Sequence, residues 1–179
     1  MVRSCGVIEI VEFGAELRLF REQAYLRGKR DPEWTAEWGT DEHDERATHF
    51  VVRDEDGALA GAVRAQFDPP WPDGVDDEHA VLFARMAVRR MELRGRRVLV
   101  DLMLHANRHA AELGRTTGYA VANSRALWLY RRIDAQFDVV SGPNSGWGSE
   151  MYLMRWELER FAAALESVVD IRRAVPLPG

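Results

Sequence analysis

The stretch Asn123-Ser-Arg-Ala-Leu-Trp-Leu-Tyr-Arg-Arg-Ile133 anchors the reading of the whole chain. Ser124 to Ile133 reads as a short amphipathic helix, and Asn123 is a residue type able to cap it by accepting a hydrogen bond from a free helical N–H. Thr116 to Ala122 just upstream reads as a strand, so Asn123 stands where a strand gives way to a helix. Before that strand, Leu99, Leu102, Met103, Ala106, Ala110 and Leu113 mark one face of a helix from Val98 to Leu113, with Gly114 as its stop. Ala80 to Val88 is apolar enough for a central strand. The resulting strand-helix-strand-helix order implies a right-handed crossover and a parallel strand pair.

Further toward the N-terminus, Thr48 to Arg53 and Ala58 to Gln66 flank Asp54-Glu-Asp-Gly57, and the Asp-Gly step signals a hairpin. Asp68 to Asp77 holds Pro69, Pro70, Trp71 and Pro72 and reads as a loop. Phe13 to about Gly28 has helical apolar spacing, through Leu17, Leu19, Phe20, Ala24, Tyr25 and Leu26. Lys29 to Arg46, with Pro32, Trp34, Trp38 and a dense acidic cluster, is a loop of functional length. Downstream, Phe137 to Val140 and Met151 to Leu158 read as a last antiparallel pair and Glu159 to Arg172 as the final helix. The sum is an α+β fold, a mixed central β-sheet flanked by helices, expected as one domain over residues 1–173 with a disordered tail at 174–179.

The 179 residues are enough for one domain with a sizeable core. Hydrophobic residues at 46% and charged residues at 30% exclude a disordered or collagenous chain. A net charge of -5 argues against a protein that works by neutralising nucleic-acid phosphates. The one cysteine, Cys5, cannot form an internal disulfide, and no stretch approaches the roughly 20 apolar residues of a membrane span. Met1 to Val11 lacks the features of a signal peptide, so a cytoplasmic protein without a membrane or nucleic-acid partner is expected.

The spacing of Asn123, Ala126 and Tyr130 at the strand-to-helix junction resembles the second cofactor-binding motif of the GNAT superfamily of N-acyltransferases, although the Gly-Phe that usually follows is here Asp134-Ala135. The resemblance implies a GNAT-like acyltransferase fold and a pantetheine thioester donor. Asn123 would satisfy pantetheine amides, and the Tyr130 hydroxyl would act as general acid toward the departing thiolate. A capped core helix is the plainer reading of the same residues. Met86-Ala-Val88 followed by Arg94-Gly95-Arg96-Arg97 is similar to the family's first motif, where a Gly-rich turn and helix N-terminus cradle a pyrophosphate. Arg97 and Leu99 stand where that family has small residues. Either the arginines grip the phosphates by charge-assisted hydrogen bonds, or the donor is an acyl carrier protein, whose phosphopantetheine lacks the nucleotide diphosphate.

The N-terminal half resembles acyl-homoserine-lactone synthases and the related N-acyl amino acid synthases. Arg21 with Tyr25 four later, Trp34, the pair Asp41 and Asp44, Arg64 in Gly61-Ala-Val-Arg64, and Arg85 before Met86 follow the order seen there. The lactone synthases have a Glu three residues before the strand arginine, and this chain has Leu82. Lactone chemistry is therefore not expected, and N-acylation of another small amine, such as an amino acid or a biosynthetic intermediate, fits better. The donor would be acyl-CoA or an acyl carrier protein.

The chemistry also needs an oxyanion donor, expected from a backbone N–H of a bulge near Met86 to Val88. For the base, Glu78, His79, Glu92, His49 and a water chain are the options. Asp41 and Asp44 either hold an acceptor ammonium, or lock the loop through Arg21, Arg64 or Arg85, or form a solvated acidic loop. Arg64 and Arg85 lie in strand interiors and need a carboxylate or an anionic ligand. His105 and His109 have i, i+4 spacing but no companion ligand, so no metal is expected. A catalytically silent binding or regulatory domain and a plain acetyl-CoA-dependent acetyltransferase are the alternatives.

Overall fold

A computed structural model describes residues 7–27, 40–71, 73–75, 77–89, 93–132, 134–144 and 150–174. Trp34, Trp38, Glu92, Trp147 and most of the expected tail lie outside these residues. The elements run β1 (Ile8–Val11), α1 (Ala15–Arg27), β2 (Thr48–Arg53), β3 (Leu59–Gln66), β4 (Ala80–Val88), α2 (Leu93–Glu112), β5 (Thr117–Asn123), α3 (Ser124–Arg132), β6 (Asp138–Asn144), β7 (Met151–Glu157) and α4 (Leu158–Ala174). The strands form one sheet in the order β1-β2-β3-β4-β5-β7-β6, and the α+β class expected from the sequence holds. By Cα proximity the chain divides into two compact units, residues 1–66 with 84–103, and residues 67–83 with 104–179.

In the first unit β1, β2 and β3 are antiparallel, with Val11 opposite His49, His49 opposite Arg64 and Val51 opposite Ala62. The β2–β3 turn closes as its Asp-Gly step requires: Gly57 takes a φ of 78°, and Asp54 Oδ1 accepts from the N–H groups of Asp56 and Ala58. Alternation along the strands then assigns the faces. Val51 and Ala62 pack with Leu17, Phe20 and Tyr25 of α1. Val52 and its partner Gly61 face the other way, and a Cβ on Gly61 would lie 2.4 Å from Val98 Cγ1 of α2. His49 and Arg64 share the α1 face, which fixes the location of the polar cluster described below.

In the second unit β4 runs parallel to β5 from Ala80↔Thr117 to Phe83↔Ala120, the parallel pair implied by the sequence order. β5 pairs antiparallel with β7 from Thr117↔Glu157 to Asn123↔Met151. Trp156 stacks between Phe83 and Phe161, at centroid distances of 5.6 and 4.7 Å, and its Nε1–H donates to the buried Asn107 Oδ1 at 2.8 Å. Gly118 leaves the space for that indole, because a Cβ there would sit 2.4 Å from the ring. Gly114 ends α2 in the left-handed region with Arg115 N–H returning to Ala110 O, as expected of a glycine stop.

The larger departures from the sequence reading are these, the other limits agreeing to within a residue or two. α2 starts at Leu93 rather than Val98, so Arg94-Gly95-Arg96-Arg97 forms its first turn instead of a turn before it. β1 was not expected, and it is a four-residue edge strand that exists through its pairing with β2. β6 extends past the expected Val140 to Asn144, so Gly142 and Pro143 belong to the strand; β6 is an outer edge of the sheet, where proline is tolerated. α4 begins at Leu158 and reaches Ala174, the first residue of the expected tail.

Candidate active site

Arg21 of α1, Asp41 and Asp44 of the turn before β2, His49 of β2, Arg64 of β3 and Arg85 of β4 meet in one hydrogen-bonded cluster within the first unit. Arg21 is fully buried and donates from Nη1 to Asp44 Oδ1 at 2.7 Å. Its Nη2 reaches His49 Nδ1 at 2.8 Å, and Phe13 lies 5.3 Å from its guanidinium carbon. Arg64 Nη1 donates both to Asp41 Oδ1 at 2.5 Å and to Asp44 Oδ1 at 3.1 Å. Arg85 Nη2 and Nε both donate to Asp41 Oδ2, at 2.6 and 3.2 Å. The turn supports itself as well: Asp41 N–H donates to Asp44 Oδ2 and His43 N–H to Asp41 Oδ1, each at 2.9 Å.

The two strand arginines thus find carboxylates, and the acidic pair is neither a solvated loop nor a free ammonium holder. Lone buried charges would be costly, whereas here each carboxylate answers two guanidiniums. Burial pushes the Asp44 carboxyl up, but the charge and hydrogen bond of Arg21 outweigh it and hold the carboxyl below the usual range. Burial likewise raises Asp41, and the hydrogen bonds from Arg64 and Arg85 more than reverse that. Burial lowers His49, supported by the charge of Arg21 and opposed by the Asp44 carbonyl. The cluster grades from a closed interior at Arg21, Asp44 and His49 to a partly open edge, where the side chains of Asp41 and Arg85 are 23% and 14% exposed.

At that edge β4 changes character. Ala80 to Phe83 and Ala87 to Val88 are buried, but Ala84, Arg85 and Met86 are not, and Arg85 adopts a φ of 53°. A left-handed non-glycine residue inside a strand is uncommon and breaks the alternation of its peptide groups. Leu82, which stands where the lactone synthases have a Glu, is buried. Leu99 is buried too, and so does not crowd the start of α2; Arg97 lies 3.7 Å from Asp101 one turn on. The first-turn N–H groups of a helix have no intrahelical partner, and here that turn includes Arg94, Gly95 and Arg96.

In the second unit Asn123 Oδ1 accepts the Ala126 N–H at 3.0 Å, the cap foreseen from the sequence, so its amide nitrogen is the atom left to donate elsewhere. Tyr130 is only 4% exposed, with its ring against Phe137 and Phe161, and burial raises its phenol above the ordinary tyrosine range. Asp134 follows at a φ of 56°, with the Ala135 N–H returning to Tyr130 O. Aspartate tolerates the left-handed conformation, which accounts for how it stands at the helix end where the family has glycine.

Trp156 is core, Trp71 packs on the Leu82–Tyr119–Leu153 cluster, and Trp128 is half exposed beneath Arg132. Both His49 ring nitrogens are engaged within a fully buried site, which removes it from the candidate bases. The signal for His49 was present all the same, as a titratable residue inside the apolar strand Thr48–Arg53. Among the described residues no three His, Cys, Asp or Glu side chains gather as a metal would require. No helix among them is long and apolar enough to cross a membrane.

No protein-family model and no curated protein matches this sequence. Solved structures do match its fold. The AHL synthase LasI superposes with a TM-score of 0.71 at 15% identity, covering 90% of this chain and 94% of that one. The CoA-dependent acyl-homoserine lactone synthase BjaI, solved with SAM and isopentyl-CoA, gives 0.66 at 16% identity over 89% and 81% of the two chains. An IAA acetyltransferase from Bacillus cereus ATCC 14579 gives 0.58 at 16% identity over 84% and 98%. The fold is therefore the one shared by GNAT acetyltransferases and acyl-homoserine-lactone synthases.

Proposed function

We propose that the protein is an N-acyltransferase that moves an acyl group from a pantetheine thioester to the amine of a small acceptor, such as an amino acid or a biosynthetic intermediate. The observation that carries this reading is the left-handed Arg85 in the partly exposed stretch of β4, held by Asp41 at the open edge of the buried cluster. In this reading a backbone N–H of the stretch from Met86 to Val88 that follows it donates to the oxyanion that forms when an amine attacks the thioester carbonyl. The new C–N bond forms as the C–S bond breaks. The amine's proton leaves to water, and the Tyr130 hydroxyl, kept protonated by its burial, supplies a proton to the departing sulfur.

Donor binding in this reading rests on Met86, Val88, Arg94, Gly95, Arg96, Arg97 and Asn123, and acceptor binding on Trp34 and on Asp41 and Arg85 at the open edge, with the buried Arg21, Asp44 and Arg64 holding that edge in place. An acyl carrier protein or a longer acyl-CoA is favoured over acetyl-CoA by the likeness to the synthases. The absence of a carboxylate at Leu82 argues for a simple amide product rather than a lactone.

Thermal shift in the presence of coenzyme A, acetyl- or octanoyl-coenzyme A, and an acyl carrier protein with or without its acyl chain tests the donor, because a ligand that binds only the native state raises stability. The reading expects a rise with acylated carrier or octanoyl-coenzyme A. The lack of a rise with every one of these donors overturns it.

The tight packing of Tyr130 between Phe137 and Phe161 favours a second reading, a catalytically silent domain in which Tyr130 is only core. Tyr130→Phe keeps the ring and removes the hydroxyl. A loss of turnover on the order of 100-fold at unchanged melting temperature supports the acid role, and unchanged turnover removes it.

A further inference from the structure

We propose that His49 is the positioning residue of the acceptor side: held neutral with its proton on Nε2, it ties Arg21 to the Asp41–Asp44 turn, and protonation of its ring releases that turn. The kinetic part of this proposal rests on the transferase reading, and the structural part stands without it.

The tautomer follows from the partners. A guanidinium only donates, so the 2.8 Å contact from Arg21 Nη2 requires a lone pair on Nδ1. The backbone carbonyl of Asp44 only accepts, so the 2.8 Å contact to Nε2 requires the proton there. One neutral form of the ring satisfies both, and the charged form satisfies only one. Protonation at Nδ1 would set N–H against N–H, with a second positive charge beside a fully buried guanidinium.

The consequence travels along the hydrogen bonds. Arg21 grips the Asp44 carboxylate while His49 grips the Asp44 carbonyl, so the two groups hold one residue from both sides. Asp44 in turn accepts from the Asp41 N–H and from Arg64, and Asp41 sets Arg85 at the open edge. The charged and titratable groups around the imidazole are Arg21 from α1, with the Tyr25 phenol acting on it, Asp44 and Asp41 from the turn, Arg64 opposite it in register on β3, and Arg85 on β4 through Asp41. Phe13 covers the ring at 5.4 Å. Burial together with Arg21 and Arg64 disfavours the charged ring, and the Asp44 carbonyl and carboxylate favour it without prevailing.

The test is nitrogen-15 NMR of the His49 ring in the wild-type protein through an acid titration, with amide hydrogen exchange at Asp41, His43 and Asp44 followed in the same samples. The proposal expects the Nε2–H form at pH 7, a transition lying below the ordinary histidine value of about 6.5, and loss of protection at those three amides in that same transition. A ring protonated on Nδ1 at pH 7, or a titration that leaves the three amides protected, overturns it.

Where transfer is measurable, His49→Asn is expected to raise KM for the acceptor about tenfold with kcat little changed, the scale of one buried charge-assisted hydrogen bond. Loss of kcat with KM unchanged would mark a merely structural role. A wild type that turns over no donor defeats the transferase reading and leaves the NMR and exchange results to decide the role of His49.

Discussion

The two units bury different things. Around Arg21 the first unit buries charge, and each guanidinium there is held by a carboxylate, although the Nε atoms of Arg21 and Arg64 have no hydrogen-bond partner among the described residues. Around Trp156 the second buries rings, and each is fixed by the shape of its neighbours, down to a glycine that leaves room for the indole. The contrast teaches how each region tolerates change. A packed core accepts another apolar side chain of similar volume, whereas a charged cluster accepts almost no single change but can lose two partners together.

The largest expected effect follows from that difference. Asp44→Ala leaves the Arg21 guanidinium buried without its carboxylate, and urea denaturation should show a loss of about 3–5 kcal/mol. The double variant Arg21→Met with Asp44→Leu should lose clearly less than the sum of its single changes, and strict additivity would break the comparison.

Next comes Gly118→Ala, expected to cost about 1–3 kcal/mol because the new methyl meets an indole clamped between two phenyl rings. Gly61→Ala in the first unit should cost less, since one of its two close contacts is the flexible end of Leu102. The reverse order in a denaturation series would mean that the indole has room to move.

The pH dependence sharpens the comparison further. The folded-state value of His49 is depressed, so its contribution is full above the unfolded value of about 6.5 and is lost as pH falls through the folded one. Asp41 and Asp44 are depressed as well, and their contribution is lost in a second stage below about pH 4. Tyr130 in the second unit is raised, so its contribution is full below about pH 10 and is lost as pH rises further. Denaturation midpoints across pH should therefore show an acid limb that His49→Asn alters and an alkaline limb that Tyr130→Phe alters.

The smallest effect belongs to the exposed pair Arg108 and Glu166, where Glu166→Gln should change stability by less than about 1 kcal/mol and less still in high salt.

Much of the fold could be read from residues alone. β2 and β4 have their expected limits, because their apolar runs suit the largely buried strands they become. The start of α2 was missed because Arg94-Gly95-Arg96-Arg97 carries no apolar period, although its backbone is already helical. β1 was missed because four residues make no pattern without β2 beside them. At the candidate site the arginines and aspartates announced themselves, since charges in strand interiors demand partners. His49 stood out only as a titratable residue inside an apolar strand, and its role did not, because that role needs the guanidinium of Arg21, 28 residues away in the chain, together with the Asp44 carbonyl. Likewise, the left-handed turn at Arg85 is a property of the folded strand that no residue type signals.

The most direct measurement is release of free pantetheine thiol from octanoyl-coenzyme A and from octanoyl-loaded acyl carrier protein, with and without a mixture of amino acids, and with the products weighed by mass spectrometry. The account predicts thiol release that depends on added amine and an N-octanoyl product of matching mass. Donor binding with no amine-dependent release would contradict it and leave a binding domain in the fold of an acyltransferase.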